Sequence, residues 1–274
     1  MFGRPSDFYD FTAGEVDTDF IDTQLDTLMG DHGFNGVHIS VFCEWWDIDT
    51  TTGKCTNSMT TFDQRTFDVL EAIITRVYDR GGMTHLWMYG DSERSQNPQN
   101  FFGFNSTTEL NVINEIGTQL APLDGWSMGY GFDLPEWTNS AGVQQWETNM
   151  RQAMGANQHM LGARGCKNSY GCDWSSDLDY YSVEWHKPTC QDYLNHVTNG
   201  SDRPAMSEDR FRVRDENRAK DYTEAETLQG LIDSHNCGGV GAIWGQLITP
   251  AGASGEVSGS YGNAAALKAE IEGR

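Results

Sequence analysis

The segment RPAMSEDRFRVR, residues 203–214, runs a short apolar stretch into Glu208 and then places Arg210, Arg212 and Arg214 at alternate positions. Upstream, GFDLPEW over residues 131–137 sets Asp133 and Glu136 beside Trp137. Between them, YYSVEWHKP brings Glu184, Trp185 and His186 together, with Glu184 and His186 sharing strand parity. Carboxylates interleaved with aromatic rings suit one chemistry above others. Sugars have apolar faces that stack on rings. Cleaving a glycosidic bond takes two carboxyl groups, one to protonate the leaving oxygen and one to attack the anomeric carbon or activate water.

Such groups have to be carried to one place by the elements around them. The chain alternates. DTDFIDTQLDTLMGDHG has apolar residues at helical spacing, and GVHISVFCEWWD then reads as a buried strand. TFDQRTFDVLEAIITRVYDRGG is the clearest helix, stopped by Gly81 and Gly82, and THLWMYGD is the next strand. STTELNVINEIGTQL opens on a helix-capping serine or threonine, GWSMGYGFDLPEW is a strand, and SAGVQQWETNMRQAMG is a helix. HMLGARG, YYSVEWHKP, RPAMSED and GGVGAIWGQL complete the strands, with a stapled loop and further helical segments between them. Strands alternating with helices predict parallel βαβ units.

Seven strands are countable, and an eighth in MFGRPSD would make a single-domain (β/α)8 TIM barrel over residues 1–274. The competing architecture is an open doubly wound sheet. The barrel is preferred because no G-x-G-x-x-G turn follows the first strand and nothing resembles a phosphate loop.

In a (β/α)8 barrel the working groups stand at the carboxyl ends of the strands. The first strand would deliver Arg4 and Asp7 there, the second Glu44, Trp45, Trp46 and Asp47, and the third Trp87, Tyr89 and Asp91. The fourth would deliver Asp133, Glu136 and Trp137, the fifth Arg164, and the sixth Glu184, Trp185 and His186. The seventh would bring Glu208 and Arg210, and the eighth Trp244 and Gln246. Trp45 and Trp46 are adjacent, so on a strand one of them faces the core. A metal-dependent barrel hydrolase would want an H-x-H strand end, and none exists among the seven histidines, so neither metal nor other cofactor is expected.

The charge balance bounds the partners. Against 18 Lys+Arg stand 40 Asp+Glu, a net charge of -22, and such a surface repels nucleic acid and anionic membranes. The expected partner is a carbohydrate, with no nucleic acid and no membrane. No run approaches the roughly 20 apolar residues of a membrane span. Residues 1–30 lack the basic start and apolar core of a signal peptide. A lysine-poor acidic surface fits a saline habitat and equally a solubility device. Of the six cysteines, Cys43 with Cys55 and Cys166 with Cys172 each close a short loop, without zinc-site spacing. Two local disulfides are expected, hence an oxidising, secreted or otherwise extracytoplasmic setting. Cys190 and Cys237 are left open.

GFDLPEW and PAMSEDRF resemble the acid/base and nucleophile strands of the retaining glycoside hydrolases of clan A, and AIWG is similar to that clan's tryptophan strand. More narrowly, EWHKPTCQDYLNHV, RPAMSEDRFRVR, KDYTEAETLQGL and GGVGAIWG are similar to segments of the apiosidase-like barrels. The resemblance implies Glu208 as nucleophile and Glu136 as general acid/base. Physical chemistry is consistent with both roles. A guanidinium from Arg4 or Arg210 would keep Glu208 ionised, and desolvation by Pro135 and Trp137 would keep a proton on Glu136. The clan usually places Asn directly before the acid/base glutamate, whereas Pro135 stands here, so Asp133 or another residue would have to contact the sugar's 2-hydroxyl.

Two other functions stay open at this level. A polysaccharide lyase could use Tyr89, Tyr181, His186 and Arg164, and a non-catalytic glycan-binding barrel could keep the rings alone. Glu184 is the main rival to either glutamate of the pair.

Overall fold

The computed structural model describes residues 5–31, 33–41, 48–49, 54–55, 64–89, 106–131, 134–164, 174, 177–183, 203, 205–210, 232, 236 and 240–243. Its centre is a seven-stranded, wholly parallel sheet. The strands are β3 (Gly36–Ser40), β6 (Met83–Tyr89), β7 (Trp126–Gly131), β8 (Met160–Arg164), β9 (Tyr180–Val183), β10 (Ala205–Arg210) and β11 (Val240–Ile243). They lie side by side in chain order, β3 at one margin and β11 at the other. All seven predicted strands are present. Parallel neighbours in chain order need a crossover behind every strand. A doubly wound sheet reverses its strand order part-way; this one does not.

Of the expected amino-terminal strand, MFGRPSD, residues 1–4 lie outside the described residues. Residues 5–10 do not join the sheet. Pro5–Phe8 form a 3₁₀ turn that includes Asp7, and β1 (Tyr9–Asp10) pairs antiparallel with β2 (Glu15–Val16). The local chemistry explains this hairpin. Asp10 Oδ1 accepts from the amides of Thr12 at 2.7 Å and Ala13 at 3.0 Å, and Gly14 closes the turn at φ 76°. Closure of a full barrel by an eighth strand is not seen among the described residues. A second small ladder joins β4 (Ile48–Asp49) to β5 (Lys54–Cys55). Of the expected disulfide partners only Cys55 is described, so both pairings lie outside the described residues.

Helices cover one face of the sheet. Helix α1 (Thr18–Leu25) starts where the Asp17 carboxylate accepts from the Phe20 amide, and it runs on into a π-helical turn over Asp26–Asp31. Helix α2 (Gln64–Asp79) buries Phe67, Leu70, Ile73, Ile74 and Val77 on one stripe, and Gly81 at φ 77° lets the chain turn into β6. Helix α3 (Ser106–Gln119) packs on α5 (Ser140–Met154), closely enough that a Cβ on Gly117 would strike the Ala153 carbonyl. Asn139 caps α5 by accepting from the Gly142 amide.

The two faces of the sheet differ in chemistry. Met88 and Tyr130 face α5. The Trp146 indole N–H reaches Met88 Sδ at 3.0 Å, and its ring stacks on Tyr130 at 4.6 Å. On the other face, register puts Trp87, Gly129, Gly162 and Tyr180 in one row across four strands. A Cβ on Gly129 would clash with the Trp87 ring, and one on Gly162 with the Tyr180 ring. Two large rings thus fill the space that two glycines leave. His85 sits edge-on to both rings, and its Nδ1 is 2.8 Å from Ser127 Oγ.

Candidate active site

Because every sheet strand runs the same way, all their carboxyl ends lie along one rim. Three groups from the sequence reading reach this rim with their side chains described: Trp87, Tyr89 and Trp137. Trp87 and Tyr89 have 0% exposure and Trp137 has 7%. As placed, they present almost no ring face for a sugar to stack on; they brace the rim from within the core.

Glu136 lies in α4 (Leu134–Trp137), a four-residue helical turn just beyond β7. The strand read through to Trp137 from sequence ends at Gly131 instead. Pro135, which has no N–H to give, is tolerated in a first helical turn. Glu208 and Arg210 lie in β10. The register of β10 against β11 slips between Ser207 and Arg210, the interval that holds Glu208; such irregularities gather beside active sites, where they re-aim a residue. Arg164 closes β8. Arg4, Glu44, Trp45, Trp46, Asp47, Asp91, Asp133, Glu184, Trp185, His186, Trp244 and Gln246 lie outside the described residues.

The rim also holds a group that the strand-end rule does not find. Glu109, in the first turn of α3, accepts hydrogen bonds at Oε1 from the hydroxyls of Tyr89 and Tyr130, each at 2.8 Å. The two tyrosine rings meet edge-on at 5.4 Å. Both touch Trp137, at 5.5 Å and 83° from Tyr89 and at 5.3 Å and 59° from Tyr130. Burial raises the Glu109 pKa, and the bonds from Tyr130 and Tyr89 pull it the other way without cancelling the rise. Burial and then the Glu109 charge push both tyrosine hydroxyls up, which favours their protonated, donating form. In sequence, STTEL reads only as a helix start. Tyr130 lies inside the segment whose end was read at Trp137, so neither Glu109 nor Tyr130 stood among the strand-end candidates.

No known family model matches the chain, and no curated protein sequence matches it. Solved structures do. An inferred glycoside hydrolase from Bacteroides vulgatus superposes with a TM-score of 0.71 at 14% identity, over 97% of this chain and 56% of that one. A glycoside hydrolase of family 5 from the same organism gives 0.63 at 11% identity, over 88% and 59%. An endo-1,4-beta-mannanase from Rhizomucor miehei gives 0.58 at 12% identity, over 93% and 91%. At such identities the likeness is one of fold: the chain has the strand-and-helix arrangement of these glycoside hydrolases. It spans somewhat over half the length of the two Bacteroides proteins.

Proposed function

We propose that the protein is a glycoside hydrolase that cleaves a poly- or oligosaccharide with retention of configuration, Glu208 acting as nucleophile and Glu136 as general acid/base. The observation that carries this reading is the parallel order of β7 and β10, which brings the α4 turn and the Glu208 segment to one rim of one sheet. The fold likeness to glycoside hydrolases supports the same reading.

In the first step the Glu208 carboxylate forms a bond to the anomeric carbon. The glycosidic bond breaks, and its oxygen leaves with the proton of Glu136. In the second step Glu136 takes a proton from water, whose oxygen displaces Glu208 and frees the sugar. Arg210, two residues along β10, supplies positive charge that favours an ionised Glu208. The expected carboxyl separation is about 5 to 5.5 Å; an inverting pair would stand roughly 6.5 to 9.5 Å apart. The narrower likeness to apiosidase-like barrels, the extracytoplasmic setting and the two local disulfides belong to this proposal too.

The test begins with a panel of plant and marine polysaccharides and reducing-end detection. Glu208→Gln should abolish turnover, because an amide does not form the glycosyl ester. Glu136→Gln should also be severe, yet less so on substrates with good leaving groups, which need no proton to depart. Azide should rescue Glu136→Ala on those substrates. Near-native activity in both glutamine variants overturns the pair and makes Glu184 the next residue to replace. A product with the near-ultraviolet absorbance of an unsaturated sugar overturns hydrolysis in favour of a lyase.

A further inference from the structure

We propose that Glu109 is a positioning residue for the acid/base carboxyl: through the hydroxyls of Tyr89 and Tyr130 it locks the two rings that grip Trp137, and so sets the α4 turn that carries Glu136. This rests on the assignment of Glu136 above and goes beyond it, since Glu109 belongs to neither carboxylate of the pair.

Four elements meet at this point. Tyr89 is the last residue of β6, Tyr130 the penultimate residue of β7, Glu109 lies in the first turn of α3, and Trp137 ends α4. Tyr130 is further pinned by Trp146 of α5, stacked at 4.6 Å. Apolar packing alone would hold two rings together but would not fix their rotation, because it has no direction. Two hydroxyls converging on one carboxylate oxygen do fix it. Trp137 lies against both rings and has 7% exposure, so α4 cannot roll without disturbing them. A carboxyl is costly to withdraw from water, and a leucine would fill the space without that cost. The gain from Glu109 is orientation. Proton transfer to a leaving oxygen depends on the placement of the acid within hydrogen-bond reach, so a slack α4 turn weakens the acid while leaving the rest of the site in place.

Two readouts test this. The first needs no substrate. With 5-fluorotryptophan incorporated, the fluorine resonance of Trp137 is identified by its loss in Trp137→Phe. Glu109→Leu should split or broaden that resonance, and Glu109→Gln, whose amide oxygen still accepts from both hydroxyls, should restore it. An unchanged Trp137 resonance in Glu109→Leu overturns the proposal. Should Glu109→Leu fail to fold, Tyr89→Phe and Tyr130→Phe remove the bonds one at a time and are read the same way.

The second readout is turnover on the substrate that the polysaccharide panel identifies, compared with the 2,4-dinitrophenyl glycoside of the same sugar. Glu109→Leu should lower kcat/KM, which reports the step that expels the leaving group, at least about tenfold on the unactivated substrate and several-fold less on the dinitrophenyl glycoside, with Glu109→Gln close to the parent. A purely structural role would lower both substrates alike, and that result overturns the proposal. Glu136→Gln is run beside it. If Glu136→Gln itself fails to separate the two leaving groups, the acid/base assignment fails. If it separates them and Glu109→Leu does not, only the role of Glu109 fails.

Discussion

Glu109 carries a carboxyl whose pKa is raised by burial, and the sign of the linked stability follows. A carboxyl with a raised folded-state pKa holds its proton more tightly in the folded chain than in the unfolded one. Its contribution to stability is therefore greatest below the ordinary glutamate value, about 4.3, and declines as pH climbs through the raised value. Glu109→Gln removes the titration and keeps the acceptor. Melting temperatures of parent and variant, taken at intervals from about pH 4 upward, should show the parent losing ground to Glu109→Gln as pH rises. A constant gap, or one that moves the other way, contradicts the raised pKa. Trp87 shows a different lesson at the same scale. Its type and its place on a strand end suggested a sugar platform, yet its ring is enclosed over Gly129. Strand position says which end of the sheet a residue serves; it does not say how much space the neighbouring strand leaves.

At the level of elements, α5 is tied to the sheet by one cation. Arg151 bonds Glu147 at 3.1 Å and Asp179 at 2.9 Å, and Asp179 in turn accepts from the Leu161 amide at 2.8 Å. Glu147 is only 4% exposed. Burial works against the Arg151 charge, and the Asp179 and Glu147 carboxylates outweigh it, raising its pKa. Arg151→Met should cost about 2 kcal/mol, chiefly through loss of the charged hydrogen bonds to Glu147 and Asp179. Thermal unfolding should move down by roughly 5 °C. A change within about 0.5 kcal/mol would place this cation among ordinary surface pairs. The alternation of helices and strands was legible because each strand of the parallel sheet is an apolar run bounded by helical periodicity. The hairpin at β1 and β2 was not, since Asp10 and Gly14 make it through local hydrogen bonds and backbone freedom that carry no periodic signal. The α4 turn was read as strand for a similar reason: four residues are too few to show a period. The Tyr89–Glu109–Tyr130 contact joins three elements, and no local pattern in any one of them announces the other two.

For the whole molecule, behaviour in solution is governed by the net charge of -22. Such a chain repels itself, and the repulsion is felt most where salt is low. Raising NaCl from about 0.05 M to about 1 M shortens the screening length from above 10 Å to about 3 Å. The melting temperature should rise over that range, and a fall would mean that favourable ion pairs outweigh the excess of like charge. The row of Trp87, Gly129, Gly162 and Tyr180 has a consequence of another kind. Space on that face of the sheet is held jointly by neighbouring strands, so the permitted amino acid at position 129 depends on what stands at 87, and that at 162 on what stands at 180. Gly129→Ala alone should cost about 1–3 kcal/mol by overpacking, whereas the same change with Trp87→Leu should cost less than the sum of the two. Single substitutions at these pairs then carry a cost in stability that the paired change relieves. Lineages of this fold can exchange a ring between strands only by passing through a weakened intermediate, so the two positions of each pair evolve as one heritable unit.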